Sequence, residues 1–533
     1  MSKLSATTFS VAVLILGCLS CVILSVGCGS NEPRPTAGPE APQAAFYVDR
    51  HLTTVSIQQI EAFCGDCHAV PRASSFPLAN WQKEVERGFE FYDLTRRNDL
   101  VRPNLYDTIA YFTKNAPTED DFFSATATQQ SNRLPEEHFR LESASEVSSK
   151  YGISNIQFAT LQLKNQDGVS EAVSGWITCD MTSGHVRFHP VTRPAESVLL
   201  TQALSPANAT VFDVDQDGDA DILISDIGEY KAMDALKGQV ILLRANQGEF
   251  ERIVIKDKLG RICQTAVADF NGDGQLDVLV AEFGYFQTGG VYLLSNLNNR
   301  WNENSFVTQT IDHRHGVVRL VVTDFNHDGA MDFAAAFAQE YETVDVFLNN
   351  GNGEFTRNKI FEAGYPSYGS SGISLSDLDQ DGDLDILYTN GDTFDSSLPK
   401  QYHSIQWLEN QSTNPADKLH FVHHPIGLMP GVHCAKAGDF DKDGDLDIVA
   451  SAFMAPIDNG IEYDAVIYLE NNGHQEFKKY SIDSGPLLYP NLQEGDFNQD
   501  SHIDFVVGSV SMFNNAKKQP PLKIFWNRGV AKP

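Results

Sequence analysis

From about residue 150 onward, short apolar runs alternate with polar turns at a steady interval. Runs such as ILIS, VLVAEF, ILYTNG, IVASAF and FVVGSV are each followed by a second β-rich run: VILLRAN, VYLLSN, VDVFLNN, IQWLEN, VIYLENN and KIFWNRG. An Asn- or Gly-bearing turn and a further strand, often carrying Phe, come next. With the strand that precedes each run, every unit holds four strands, the content of a propeller blade. Upstream the period becomes helical. Val55–Phe63 is one candidate helix. Leu78–Phe89, with Trp81 and Val85 on one face, is a second, and Asn104–Lys114, carrying Leu105, Ile109 and Phe112, is a third. The pattern predicts a small all-α domain followed by a mainly β domain.

One acidic nonapeptide punctuates the β region six times: DVDQDGDAD from Asp213, DFNGDGQLD from Asp269, DFNHDGAMD from Asp324, DLDQDGDLD from Asp377, DFDKDGDLD from Asp439 and DFNQDSHID from Asp496. The spacings are 56, 55, 53, 62 and 57 residues, blade-sized intervals. A weaker copy, LKNQDGVSE, begins at Leu163, so seven repeats fit and a seven-bladed β-propeller with four-stranded blades is the expected fold. The last unit ends at KIFWNRG, one strand short, and a segment near His138–Ser143 is expected to supply its outer strand.

Oxygens at positions 1, 3, 5 and 9 of such a loop can converge on one hard cation. Position 7 adds a carbonyl, and Gly at position 6 allows the sharp turn. The candidate calcium ligands are therefore Asp213, Asp215, Asp217 and Asp221; Asp269, Asn271, Asp273 and Asp277; Asp324, Asn326, Asp328 and Asp332. They continue with Asp377, Asp379, Asp381 and Asp385; Asp439, Asp441, Asp443 and Asp447; Asp496, Asn498, Asp500 and Asp504. An EF-hand is excluded, because no helix flanks the loops and no Glu stands at position 12. Two loops depart from the pattern. The Leu163 copy lacks Asp at position 1, and the last has Ser501 in place of Gly. In these residues the chain resembles the FG-GAP/VCBS repeat family, the repeat of integrin α-subunit propellers, over about residues 150–530. That resemblance implies about six calcium ions whose role is structural.

The stretch Cys64-Gly65-Asp66-Cys67-His68 is C-x-x-C-H, the attachment signature of c-type haem: two thiols form thioethers and the His reaches iron. A Cys64–Cys67 disulfide is the competing reading. With the helix before it, Pro71 after it and the LYDTIAYFTKN helix closing the unit, the region resembles a small class I cytochrome c over about 70 residues. It departs from that family in one respect: residues 69–120 contain neither Met nor a second His for the sixth iron position, leaving five-coordinate iron or a group such as Tyr92 or a Lys.

Residues 1–27 read as a targeting segment, with Lys3 followed by an apolar run. Ser25-Val26-Gly27-Cys28 resembles a bacterial lipobox, with Ser25 where Leu is commonest, and implies lipidation at Cys28. An uncleaved signal anchor is the alternative. Either places the chain outside the cytoplasm, in the periplasm or at the cell surface, anchored to membrane. Residues 28–45 form a Pro/Ala-rich tether, 46–120 the haem domain, 121–150 a connector with the ring-closing strand, and 151–533 the propeller.

A net charge of −32 excludes nucleic acid as a partner, because phosphate binding needs a basic face. The loops contribute 21 carboxylates to that surplus. On the strand before each loop, period-2 alternation sends Gln264, Arg319, Lys436, Asn491 and Gln493 toward the axial channel, a candidate site for an anionic or sugar-like ligand. His313, His315, Tyr402, His403, His433 and Tyr489 fall near strand ends, where loops gather. Cys179, Cys263 and Cys434 read as buried thiols of separate blades. Three functions compete. One is a binding module for a protein or glycan, with a haem for electron transfer to a redox partner. The second is a periplasmic dehydrogenase-like redox enzyme whose haem accepts electrons. The third is an adhesive protein with a vestigial haem site.

Overall fold

The computed structural model describes residues 50–529 apart from 95–96, 128–130, 145–149, 394–395, 397, 413–418, 456–459 and 512–518. The targeting segment, Cys28 and the whole tether lie outside the described residues. No described helix is long and apolar enough to cross a membrane.

The β region is a seven-bladed propeller, as the repeat spacing predicts. Six blades run consecutively over 153–202, 206–259, 262–312, 317–362, 370–428 and 432–484, each a four-stranded antiparallel meander. The seventh takes three strands from 491–527, and Phe139–Ser143 pairs antiparallel with Leu522–Asn527 as its outer strand. The ring is thus closed by chain from before the first blade, which removes the open edge that an unclosed meander would expose. On the way there, Asn132–Arg133 adds in parallel to the outer strand of blade 6, making that sheet five-stranded. The first strand of each blade packs against the first strand of the next around the whole ring, so these seven strands line the axis.

The second strand of blades 2 to 7 is buried along its full length, for example DILISD from Asp221 and DFAAAF from Asp332. Both of its faces meet neighbouring blades, which explains the continuous apolar runs. Ring stacks reinforce it, as in Phe333 on Phe347 at 4.5 Å and Phe505 on Phe525 at 4.5 Å.

The loops of the propeller divide between two faces. The acidic loops and the turns joining third to fourth strands share one face. The turns joining second to third strands, and the links between blades, share the other. On this second face sit four helices: α1 (Thr54–Cys64), α2 (Trp81–Leu94), α3 (Leu105–Thr113) and α4 (Glu119–Ala127). Thr53 caps α1 by accepting from Ser56 N, and Asn104 caps α3 by accepting from Tyr106 N and Asp107 N. Trp81 stacks on Phe112 at 4.3 Å and donates its indole N–H to Ala73 O, closing a core that also holds Ile60, Phe89, Ile109 and Phe122. Propeller residue Leu398 belongs to the same core. The third element predicted from sequence is one residue shorter at each end, and α4 straddles the boundary drawn between the haem domain (46–120) and the connector (121–150).

Candidate functional site

Each acidic loop is built in one way. Its position-9 Asp opens the second strand, fully buried, and both carboxylate oxygens accept backbone N–H groups. Asp332 takes Phe325 N at 2.9 Å and Asn349 N at 2.7 Å. The same pair of bonds recurs at Asp221, Asp277, Asp385, Asp447 and Asp504. One side chain therefore ties the loop's second residue to the end of the third strand. Burial pushes these carboxyls up to about 6 at Asp221 and Asp277 and to about 7 at Asp332, Asp385, Asp447 and Asp504, while the N–H bonds hold them down. Six desolvated acids per ring favour a nearby positive charge.

The loops separate into two groups by position 3. In the three loops with Asp there, the first Asp has a buried Oδ1 without a hydrogen-bond partner: Asp213, Asp377 and Asp439. Around these atoms, carboxylate oxygens of Asp213, Asp215 and Asp221, of Asp377, Asp379 and Asp385, and of Asp439, Asp441 and Asp443 lie within 4.8 Å of one another. In the three loops with Asn there, the amide faces a neighbouring carboxylate. Asn271 Nδ2 donates to Asp277 at 3.4 Å, Asn326 to Asp328 at 2.9 Å and Asn498 to Asp500 at 2.9 Å. An amide N–H thus does locally what a cation would do for the all-Asp loops.

Positions 4 and 6 adopt positive φ. Position 6 is Gly at φ 81 to 102 in five loops, and Ser501 holds φ +70 in the last. The left-handed region crowds a Cβ, so Ser501 is strained there. Position 4 is left-handed too, at Gln216, Gly272, His327, Gln380, Lys442 and Gln499. The weak copy at Leu163 forms a plain hairpin turn, in which Asn165 Oδ1 accepts from Asp167 N and Val169 N.

Sequence reasoning passed over one recurring residue, the Asn that ends the third strand. Asn349 Nδ2 donates to Phe270 O of the preceding blade at 2.8 Å, and Asn527 Nδ2 donates to Phe440 O at 2.7 Å. The signal was present in the runs ending SN, LNN, EN and WN, but an Asn there also fits an ordinary turn.

The channel residues are placed on the first strands, and most already have partners. Gln264 donates to Leu320 O at 3.0 Å and accepts from Leu320 N at 2.9 Å, copying a strand pair onto the next blade. Asn491 Nδ2 donates to Ile153 O at 2.7 Å across the ring closure. Gln493 donates to Glu494 O, and Lys436 pairs with Glu494 at 3.7 Å. Arg319 is the member of the five without such a partner among the described residues. Cys263 and Cys434 likewise face backbone carbonyls of the adjoining blade, Val317 O at 3.0 Å and Leu492 O at 3.7 Å. Small polar groups on these strands stitch blade to blade.

The His and Tyr residues noted from sequence lie on the helix-bearing face in two groups. His403 is fully buried and accepts from Gly431 N, and burial pushes it well below its ordinary value. Burial also holds His433 down to about 4. Tyr402 stacks on Tyr368 at 6.0 Å and donates to Ser367 O. The other group is half-buried His315, which hydrogen-bonds Glu340 at 2.8 Å.

The helices touch this face at several points. Ser75 and Ser367 hydroxyls meet at 2.8 Å, the Arg72 guanidinium lies 3.9 Å over the Tyr365 ring, and Phe91 meets Phe286 at 6.0 Å. Cys64 ends α1, and the chain then turns through exposed Cys67 to His68. Both Cys residues are free thiols. His68 Nδ1 is tied to Ala69 O at 2.9 Å, which leaves Nε2 as the outward nitrogen. At the opposite end of α1 a hollow of about 980 Å³ is lined by Arg50, His51, Tyr111 and Lys114 among others.

Fold and loops together define a seven-bladed β-propeller with FG-GAP-like repeats. The FG-GAP-like repeat family matches residues 269–335 and 324–388, the stretch from the second to the fourth acidic loop. No curated protein sequence matches the chain. Among solved structures it is similar to the V. cholerae biofilm matrix protein Bap1, at 14% identity over 73% of this chain and 70% of that one, with TM-score 0.33. It is also similar to a chain of a nidogen/laminin complex (8% identity, 62% and 94% covered, TM-score 0.34) and to one of BBS1N in complex with ARL6DN (10%, 73% and 96%, TM-score 0.41).

Proposed function

We propose that this chain is an exported, membrane-anchored binding module. Its propeller, stiffened by about six calcium ions, offers a rigid surface to a protein or glycan, and a c-type haem on the helical unit serves electron transfer. The calcium reading is carried by the buried Oδ1 atoms of Asp213, Asp377 and Asp439, which lack hydrogen-bond donors beside converging carboxylates. Unpartnered buried carboxylate oxygens are costly, and a divalent cation satisfies several at once. Oxygen-only donor sets of this kind suit calcium better than magnesium, which keeps its waters.

For the haem, the donor set fits: two free thiols three residues apart and an imidazole whose Nδ1 is held by a carbonyl. Cys64 and Cys67 would hold the porphyrin and His68 the iron, and the bound group supplies one-electron chemistry. The chain's own part is to end α1 at Cys64, orient His68 through Ala69 O, and back the motif with Phe63, which packs on Phe89 at 5.2 Å and Tyr92 at 4.9 Å. Membrane anchoring through Cys28 rests on the sequence of the leader.

The competing oxidoreductase reading draws on Arg319, a cation on a channel strand of an acidic protein. Full-length protein from a host with haem-c maturation separates the two. The expected result is covalent haem that dithionite reduces and that sugars and alcohols leave oxidised. Reduction by one of those compounds would replace the binding module with an oxidoreductase, and absence of covalent haem would remove the electron-transfer role.

A further inference from the structure

Among its described residues the helical unit holds no Met and little imidazole for a second axial position. Among its described residues the only His besides His68 is His51, which precedes α1, whereas Cys64 closes it. Eleven residues at 1.5 Å each put about 16 Å between those two ends. Tyr92, which with a Lys was a candidate from sequence, already accepts Leu100 N on its hydroxyl at 3.1 Å.

The propeller does present an imidazole at the right edge of the interface. The motif end of α1 is held against the C-terminal part of α2 through Phe63 on Phe89 and Tyr92, and Arg97, beyond the end of α2, reaches Cys67 Sγ at 3.3 Å and Asp66 at 2.6 Å. From that same part of α2 Phe91 lands on Phe286, in the loop between second and third strands of blade 3. The loop packs directly on His315, so closely that a Cβ at Gly289 would fall 2.4 Å from His315 Cβ. Glu340 is the hydrogen-bond partner of His315, at 2.9 Å. His315 is 19% exposed, and Tyr341 flanks its ring at 5.6 Å.

We infer that His315, from the propeller, is the second axial ligand of the iron bound at His68, with Glu340 as the carboxylate that orients it. The inference rests on the haem reading above. A ligating His characteristically gives its other ring N–H to a carboxylate, which fixes the tautomer and raises the basicity of the ligating nitrogen. Here Nε2 faces Glu340, which leaves Nδ1 for the metal. The consequence is a haem gripped between two parts of one chain, so that loss of the motif's sixth ligand from the helical unit is made good by the propeller beneath it. Electron transfer would then report on the docking of the helices, because parting them removes a ligand.

The test is electron paramagnetic resonance and optical spectroscopy of full-length, haem-matured protein. Wild type is expected to be low-spin with two imidazole ligands. His315→Ala is expected to become high-spin and to return to low-spin on adding imidazole, with an unchanged melting curve. Glu340→Gln should stay low-spin with a raised midpoint potential, while His51→Ala and His313→Ala should match wild type. Covalent haem that is high-spin in wild type, that stays low-spin in His315→Ala, or that loses its ligand in His51→Ala or His313→Ala overturns the assignment. Absence of covalent haem in folded wild type is a different failure, since it removes the haem reading itself.

Discussion

The two faces of the propeller are built on opposite rules. On the acidic-loop face one design repeats six times with the same position-9 staple and the same left-handed positions 4 and 6, and a third-strand Asn takes the staple's second bond in five of the six, Ala245 in the other. Within the staple-and-turn frame the variation is small: Asp or Asn at position 3, and Ser501 for Gly at position 6 of the last loop. On the helix-bearing face the backbone bridges between blade links recur, but the side chains do not: buried Glu342, Lys400, His403, Tyr365 and Tyr388 each occur once, and the helices dock over blades 3 to 5. Repetition marks scaffold, because each blade faces the same packing problem. Irregularity marks where this chain differs from a generic ring, and the chemistry-bearing groups are concentrated there.

The sharpest way to break that contrast is to remove one staple. Asp332→Ala strands Phe325 N–H and Asn349 N–H in the core and is expected to destabilise calcium-free protein by about 2–5 kcal/mol in urea unfolding. Asp328→Ala, at exposed position 5 of the same loop, should leave that calcium-free curve within about 0.5 kcal/mol of wild type. Equal costs would mean that position 9 is merely a ligand.

On the other face, Glu342 is fully buried and receives Ser370 N at 2.7 Å and Ser370 Oγ at 2.5 Å. Burial pushes its carboxyl up to about 8, with Asp392 adding to the rise. A folded value above the unfolded one gives stability that is whole below the ordinary carboxylate range and drains away as pH climbs to about 8. Glu342→Gln should therefore flatten the fall in unfolding free energy across that window, by a few kcal/mol in order of magnitude. A slope identical to wild type would show that Glu342 is ionised in the folded protein.

The smallest effect sharpens the comparison within the acidic face. Ser501→Gly relieves a left-handed non-glycine residue and should stabilise the protein by about 1 kcal/mol, measured without calcium. A destabilisation would mean that the serine hydroxyl matters more than its backbone.

Much of the scaffold was legible in the sequence, because its physics is local. The nonapeptide, its spacing and the largely apolar second strands specify loops and blades without reference to distant residues. What could not be read depends on neighbours across the ring. Gln264 and Asn491 look like channel liners by alternation, and only the registration of adjacent blades shows their amides bonded to Leu320 and Ile153. The Asn349 and Asn527 latches were visible as letters and ambiguous as chemistry. Helix α4 was missed because EDDFFSATA has only a short apolar face, although the three acids in its first turn favour a helix start. The position-4 residues carry no common type, so their shared left-handed φ has no sequence signature.

The calcium scaffold is tested most directly by one measurement, thermal unfolding of the full-length protein in saturating calcium and again in excess chelator. Each site held at a hundredfold over its Kd adds about 2.7 kcal/mol. The melting temperature is therefore expected to fall by many degrees when calcium is withdrawn, with the all-Asp loops from Asp213, Asp377 and Asp439 contributing most. Superimposable curves in calcium and chelator would contradict the reading of these loops as metal sites.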